Sequence, residues 1–275
     1  MDNDTKLLNL ALDAGEIMLK SGAETQRVQD TMLRILSMSG REKIEALAMS
    51  TMLIVSLPRE DKGPLSMARG VQDRSVNFEK ICAVNSMSRA FVSGEITLEE
   101  ATSRMLEIHH APKFAPSLRV LAYGLTSGGF TMVYNGTPLD GVAAFVIGMA
   151  LGLMVLGNGA WKAPYFFSSF TGGVITGILA IFFHALMPST QIDMIVIGSI
   201  MPLLPGITLT KAIRDVLEGN FISGNSKLME ALLVACAIAG GVAIVLGVFM
   251  AFGGQPYDTA SLDAVSNSIL ALGGF

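Results

Sequence analysis

Apolar side chains at Leu7, Leu8, Ala11, Ala14, Ile17 and Met18 recur every three or four residues and predict an amphipathic helix that ends at Ser21-Gly22. A second helix is predicted from Glu24 to Ser39, with Val28, Met32, Leu33, Ile35 and Leu36 as its apolar stripe and Gly40 as its stop. The pattern then changes: Ile44, Met49, Met52, Leu53, Ile54, Val55 and Leu57 crowd together ahead of Pro58 and the turn-rich Arg59–Pro64. That run reads as one or two strands, a hairpin turn and a returning strand near Leu65–Val71. Helical periodicity resumes over Val76–Val92 and Leu98–Ile108, the latter opened by a capping box of Thr97 and Glu100. The expected unit is a small α+β domain with helices flanking a short sheet.

His109–Pro116 reads as a linker, because two prolines interrupt the helix. The adjacent histidines lack the spacing and partners of a metal site. Beyond the linker come five long apolar segments, at about Leu118–Tyr134, Leu139–Leu156, Phe166–Met187, Met194–Leu209 and Leu228–Phe252. A bilayer core of about 30 Å calls for roughly 20 helical residues, so each is predicted to span a membrane. The fold class is an α-helical polytopic membrane protein with five transmembrane helices, preceded by a small cytoplasmic α+β domain. Its expected division is 1–117, 118–252 and an extracytoplasmic tail, 253–275.

Charge sharpens this division. The chain has 275 residues, of which 51% are hydrophobic and 15% charged, against about 25% in globular proteins. Thirty of the first 117 positions are charged, but only 12 of the remaining 158. So short a chain has no means of burying five such helices in water. Lys113, Arg119, Lys162, Lys211, Arg214 and Lys227 all fall in alternate loops, on one side of the predicted membrane. By the positive-inside rule the N-terminus is cytoplasmic and the C-terminus outside, with Tyr134, Trp161 and Tyr165 at interfaces. The start Met-Asp-Asn-Asp lacks the features of a signal peptide. A net charge of −4 without basic runs gives no field for nucleic acid. Cys82 and Cys236 lie far apart in the sequence and read as buried thiols, with no disulfide framework. Gly124/Gly128, Gly148/Gly152 and Gly173/Gly177 read as close helix contacts in lipid.

The fourth segment carries the candidate chemistry. Pro202, Pro205 and Gly206 cannot share one uninterrupted helix, since each proline removes a backbone donor and clashes with the preceding turn. Broken helices in membranes persist where protein or a water-filled cavity satisfies the freed groups, as at transporter substrate sites. A second half-helix from Ile207 would aim its positive end at an anionic group. Thr208 and Thr210 would supply hydroxyls, and Arg214 would attract the anion, so Pro205, Gly206, Thr208, Thr210 and Arg214 are the substrate-binding candidates. Asp193, at the outer edge of its span like Asp140, and His184, inside the third span, are candidates for coupling or gating, together with Asp215. Interfacial rest for the aspartates and ordinary hydrogen-bonded packing for the histidine are the alternatives. In the soluble part Glu16, Glu24, Arg27 and Asp30 surround Ser21-Gly22-Ala23, where glutamates serve chiefly as helix-terminus partners. No metal or cofactor is implied, and no catalytic residue is assigned.

Several segments in order, Ala14-Gly15-Glu16-Ile17, Lys20–Thr25, Arg27-Val28, Asn77–Lys80, Val84-Asn85, Ser88-Arg89, Gly94–Ala101, Gly198–Met201, Pro205-Gly206 and Ala212–Asp215, resemble the N-terminal part of the threonine/serine exporter family. The resemblance spans about residues 7 to 250. It implies an inner-membrane exporter of small polar metabolites of the threonine/serine class. Some relatives form two separate chains and resemble a succinate exporter, so a dicarboxylate is the alternative substrate. The fused exporters continue into a second membrane half, which implies a separate small membrane protein or a homo-oligomer as partner. A function of another class is a membrane-anchored cytoplasmic sensor or hydrolase, although an anchor needs neither Pro-x-x-Pro-Gly nor five spans.

Overall fold

A computed structural model describes residues 2–59, 63–72, 76–111, 114–161 and 165–254. The expected tail from residue 255 onward, Lys113 and Lys162, and the side chains of Trp161 and Tyr165, lie outside the described residues. Packing divides the chain into two units: Met1–Lys113 with Ile207–Glu230, and Phe114–Gly206 with the residues from Ala231 onward.

The first unit contains α1 (Asn3–Lys20), α2 (Thr25–Leu36), strands β1 (Glu45–Ala48), β2 (Met52–Leu57) and β3 (Leu65–Gly70), then α3 (Phe78–Val92) and α4 (Leu98–His110). The strands form one antiparallel sheet in the order β1-β2-β3. In central β2 the alternation puts Leu53, Val55 and Leu57 inward, opposite Arg69, Met67 and Leu65 of β3. Leu53, Val55 and Leu57 join Leu8, Leu12 and Met18 of α1, Met32, Ile35 and Leu36 of α2, and Val84 and Met87 of α3 in one core, with Leu65 and Met67 packed against it. Gly15 marks the tightest crossing: a Cβ there would lie 2.5 Å from Met32 Sδ and 3.0 Å from Leu53 Cδ1. The capping box at Thr97 and Glu100 is formed. His109 and His110 differ from expectation, since they complete the last turn of α4 and the chain leaves the helix only at Ala111. The constraint of Pro112 reaches back one residue and no further.

The second unit holds α5 (Pro116–Val133), α6 (Pro138–Trp161), α7 (Tyr165–Leu186), α8 (Ile192–Ile200) and, from Ala231, most of α10 (Phe221–Ala251). The intervening α9 (Gly206–Leu217) and the start of α10 belong to the first unit from Ile207 to Glu230. Among the described residues α6, α7 and α10 are long and apolar enough to cross a membrane, and the broken pair Ile192–Leu203 and Gly206–Leu217 makes a fourth candidate. The chain is thus a mostly helical membrane protein with three candidate spans among the described residues, or four with the broken pair. The remaining expected span, α5, is 18 residues long and less apolar, since it carries Arg119, Thr126, Ser127 and Thr131.

The glycine pairs are where helices meet. A Cβ on Gly124 or Gly128 of α5 would lie 3.0 Å from the Phe145 carbonyl or 2.9 Å from that of Gly141, both on α6. Gly148 and Gly152 answer from α6, at 2.6 Å from the Tyr123 carbonyl and 3.0 Å from Val120 Cα. On α7, Gly173 lies against the Ile238 backbone of α10, and Gly177 against Val245. The two cysteines correct the expectation of burial, for both are exposed. In α3 the buried stripe is Ile81, Val84, Met87, Ser88 and Phe91, which leaves Cys82 on the outer face. In α10 Cys236 sits outside the buried Val234, Ala237 and Ile238.

Candidate functional site

The expected break lies in the fourth apolar segment. After α8 the residues Met201–Leu203 tighten into a 3₁₀ turn, Leu204 is extended with ψ 136°, and helix restarts at Gly206. Leu204 is extended because Pro205 disfavours the helical region for its predecessor. The Gly206 amide donates to the Leu204 carbonyl at 2.9 Å. It is therefore already engaged in the turn. A Cβ on Gly206 would meet nothing within 4 Å.

Upstream of the break, α8 packs on α5 through polar and small residues. Ser127 Oγ donates to the Ser199 carbonyl at 3.4 Å, and Thr131 Oγ1 donates to the Ser127 carbonyl at 2.9 Å. Gly198 lies against Thr131, and a Cβ there would fall 2.7 Å from the Thr131 amide nitrogen. Ser199 Oγ is buried without a hydrogen-bond partner among the described residues. An open cavity of about 300 Å³ lies beside Pro202, lined by Arg119, Ala122, Tyr123 and Thr126 of α5.

Two of the three coupling candidates, His184 and Asp193, lie with Asp140 around the loop before α8, whereas Asp215 lies elsewhere. Asp140 is fully buried: its Oδ2 accepts from the Thr137 amide and hydroxyl at 2.8 and 2.7 Å, and its Oδ1 accepts from the Gln191 amide at 2.8 Å. This carboxylate caps the start of α6 and ties it to the start of α8. Such dense donation gives Asp140 a structural role at the outer edge of its helix. His184 Nδ1 lies 2.7 Å from the Thr190 carbonyl, and because a carbonyl only accepts, Nδ1 holds the proton. Asp193 sits in the first turn of α8, where Oδ1 accepts from the Met194 amide at 2.9 Å.

Residues of α9 and early α10 are held within the first unit. Thr208 is half-buried and Thr210 exposed. Arg214 is exposed and binds Glu24 Oε1 through Nη1 at 2.8 Å and Glu218 Oε1 through Nε at 2.9 Å. Its charge is thus already matched. Asp215 is fully buried, and Lys227 Nζ donates to its Oδ2 at 2.6 Å. Thr25 Oγ1 closes the triangle, donating to Asp215 Oδ2 at 3.0 Å and accepting from Lys227 at 3.1 Å. Asp215 Oδ1 is buried without a partner among the described residues.

The polar cluster at Ser21–Ala23 is dispersed rather than convergent. Glu16 pairs with Lys20 at 2.6 Å and with Arg69 at 3.0 Å, Arg69 also binds Asp13, Glu24 reaches Arg214, and Asp30 accepts from Gln26 at 3.1 Å. Burial pushes the Glu16 carboxyl up, but the hydrogen bonds and charges of Lys20 and Arg69 outweigh it and hold the group below its ordinary range. Sequence reasoning missed Thr25 as the partner of Asp215 and counted Lys227 only as a loop cation. Contacts 190 and 202 residues apart leave no local signal.

These features describe a helical membrane protein whose fourth apolar segment is broken. The chain matches the family described as "Putative threonine/serine exporter" over residues 9–249, and it belongs to that family of membrane transporters. It is 24% identical over 245 residues to a "Probable threonine/serine exporter" of Mycobacterium tuberculosis, covering 88% of this chain and 46% of the relative. With the "Threonine/serine exporter" of Corynebacterium glutamicum it shares 22% identity, over 86% of this chain and 50% of the relative. The chain thus spans about half the length of these two relatives. It is also 23% identical to the "Probable succinate transporter subunit YjjP" of Klebsiella aerogenes, over 86% of this chain and 92% of that protein. No solved structure matches the chain.

Proposed function

We propose that the chain is one half of an exporter for small polar metabolites of the threonine/serine class, working with a second membrane half or as a homo-oligomer. The match over residues 9–249 carries this reading. The half-length coverage of the fused exporters and the near-full coverage of a protein named as a subunit support a partner. In this reading α5 is the fifth span, the N-terminus is cytoplasmic, and the C-terminus lies outside an inner membrane. An odd span count would make a following half run inverted, a common transporter design with substrate between the halves.

The substrate path runs along the broken helix. Pro205 and Gly206 keep the backbone open, Thr208 and Thr210 offer hydroxyls, and Arg214 draws anions while exchanging its partners Glu24 and Glu218. Asp193, His184 and Asp215 are the titratable groups for coupling or gating. The likeness to a succinate transporter subunit favours a second reading, a dicarboxylate substrate.

Efflux from cells expressing the chain, with and without a candidate second half, tests the proposal. Threonine, serine and succinate are measured in the medium. Export of one of them only when both halves are present is the expected result. Efflux equal to that of empty cells under every combination overturns it.

A further inference from the structure

Arg119 stands in the first turn of α5, which contains no acidic residue. The residue is half-buried, its backbone amide donates to the Ala115 carbonyl at 3.2 Å, and its guanidinium has neither a hydrogen bond nor a carboxylate partner among the described residues. The other described cations of residues 114–254 are engaged: Lys211 donates to the Gly22 carbonyl, Arg214 pairs with two glutamates, and Lys227 pairs with Asp215. A guanidinium left unmatched at partial burial is costly, and it is matched most strongly by a planar carboxylate that takes two parallel hydrogen bonds. The site therefore favours an anion.

The cavity beside Arg119 gives this charge a shape. It measures about 300 Å³ and is open on one side, so it is a shallow groove with room for a metabolite of a few heavy atoms. Arg119, Tyr123 and Thr126 line it from successive turns of α5, at the spacing that puts residues on one helix face. Pro202, in the 3₁₀ turn that opens the break, forms the wall contributed by the other segment. Thr126 Oγ1 donates to the Ala122 carbonyl at 2.8 Å, so toward a ligand it can act only as an acceptor. The Tyr123 hydroxyl can donate or accept. One cation, one acceptor and one two-way hydroxyl around a small volume complement a hydroxy or amino carboxylic acid.

We propose that Arg119, Tyr123 and Thr126, walled by Pro202, form a carboxylate-binding subsite for the exported metabolite. This rests on the exporter reading above and moves the anion contact from Arg214 to Arg119. The guanidinium takes the carboxylate, and the two hydroxyls take the neighbouring amine, hydroxyl or second carboxylate. An anionic lipid headgroup offers the same chemistry to Arg119, and the experiment separates the two.

The full chain is reconstituted in nanodiscs of purely zwitterionic lipid or of lipid with an anionic fraction. Binding of L-threonine, L-serine and succinate is measured by calorimetry beside L-threoninol and succinamide, analogues that lack the carboxylate. Efflux from cells expressing the same variants, with and without the candidate second half, is followed in parallel. The carboxylates bind and the analogues do not; Arg119→Gln weakens binding roughly 10- to 100-fold, the loss of a charge-assisted bidentate contact, while Arg119→Lys recovers part of it. Tyr123→Phe weakens it several-fold with insertion unchanged. Export and binding by Arg119→Gln at parental levels overturn the subsite and leave the exporter reading standing. An Arg119→Gln effect confined to anionic-lipid nanodiscs also overturns it and identifies a headgroup anchor. Absence of binding by the parental chain, together with efflux no greater than that of empty cells when it is expressed with or without the candidate second half, overturns the subsite and the exporter reading together.

Discussion

Lys227→Met tests the buried triangle of Asp215, Lys227 and Thr25. The lysine side chain is 7% exposed and the aspartate 0%, and 2.6 Å separates Nζ from Oδ2. Removing the lysine leaves Asp215 buried with Thr25 as its remaining donor, and its Oδ1 already lacks a partner. Breaking a buried pair from one side costs about 3–5 kcal/mol. At about 2–4 °C per kcal/mol for a unit of this size, melting of the full chain should fall by roughly 6–20 °C. Replacing both partners, Asp215→Leu with Lys227→Met, removes the stranded charge together with its counterion, so the double variant should melt above Lys227→Met alone. Circular dichroism of the purified chain in detergent follows the transition, and limited proteolysis of Met1–Lys113 reports whether the N-terminal unit loosens with it. A single variant that melts with the parent, or a double variant that loses the sum of both singles, would refute the claim that the two charges stabilise each other.

Other consequences are equally open to measurement. Gly173→Val forces a side chain into the Ile238 backbone of α10, so it should destabilise the helix pair by about 1–3 kcal/mol, whereas Gly247→Ala, whose Cβ meets nothing within 4 Å, should melt with the parent. Glu16 is held below its ordinary value near 4.5, so its contribution is complete above that value and lost as pH falls below it; the stability gap between parent and Glu16→Gln should close on acidification, and a gap constant down to pH 3 contradicts the pairing. A reporter active only outside the cytoplasm should work after Phe252 and fail after Lys162; activity at Lys162 reverses the proposed orientation. Gly206→Ala should insert and fold normally, so any loss of export it causes, measured as efflux, reports on the path itself; Gly206→Leu and Arg214→Ala exporting at the parental rate would remove the fourth segment from the path.

Local patterns in the sequence determined most of the elements. The period of Leu7–Met18 gave α1, alternation in Met52–Leu57 gave β2, Thr97 and Glu100 gave a cap, and Pro202 with Pro205 gave the break, because each depends on residues a few positions apart. The apolar runs also located α6, α7 and most of α10, though hydropathy alone placed the start of α10 seven residues late, at Leu228 rather than Phe221. Tertiary structure decided which charges meet. Asp215 finds Lys227 and Thr25, Arg214 finds Glu24, and Asp140 finds Gln191, across 12 to 190 residues of chain. Hydropathy likewise could not assign Ile207–Glu230 to the unit that contains the N-terminal domain. It averages over a window, and the partner of a buried charge is fixed only when distant helices close around it. Arg119 shows the same limit from the other side: one cation in a sequence becomes a candidate site only once Tyr123, Thr126 and Pro202 are seen around the same cavity.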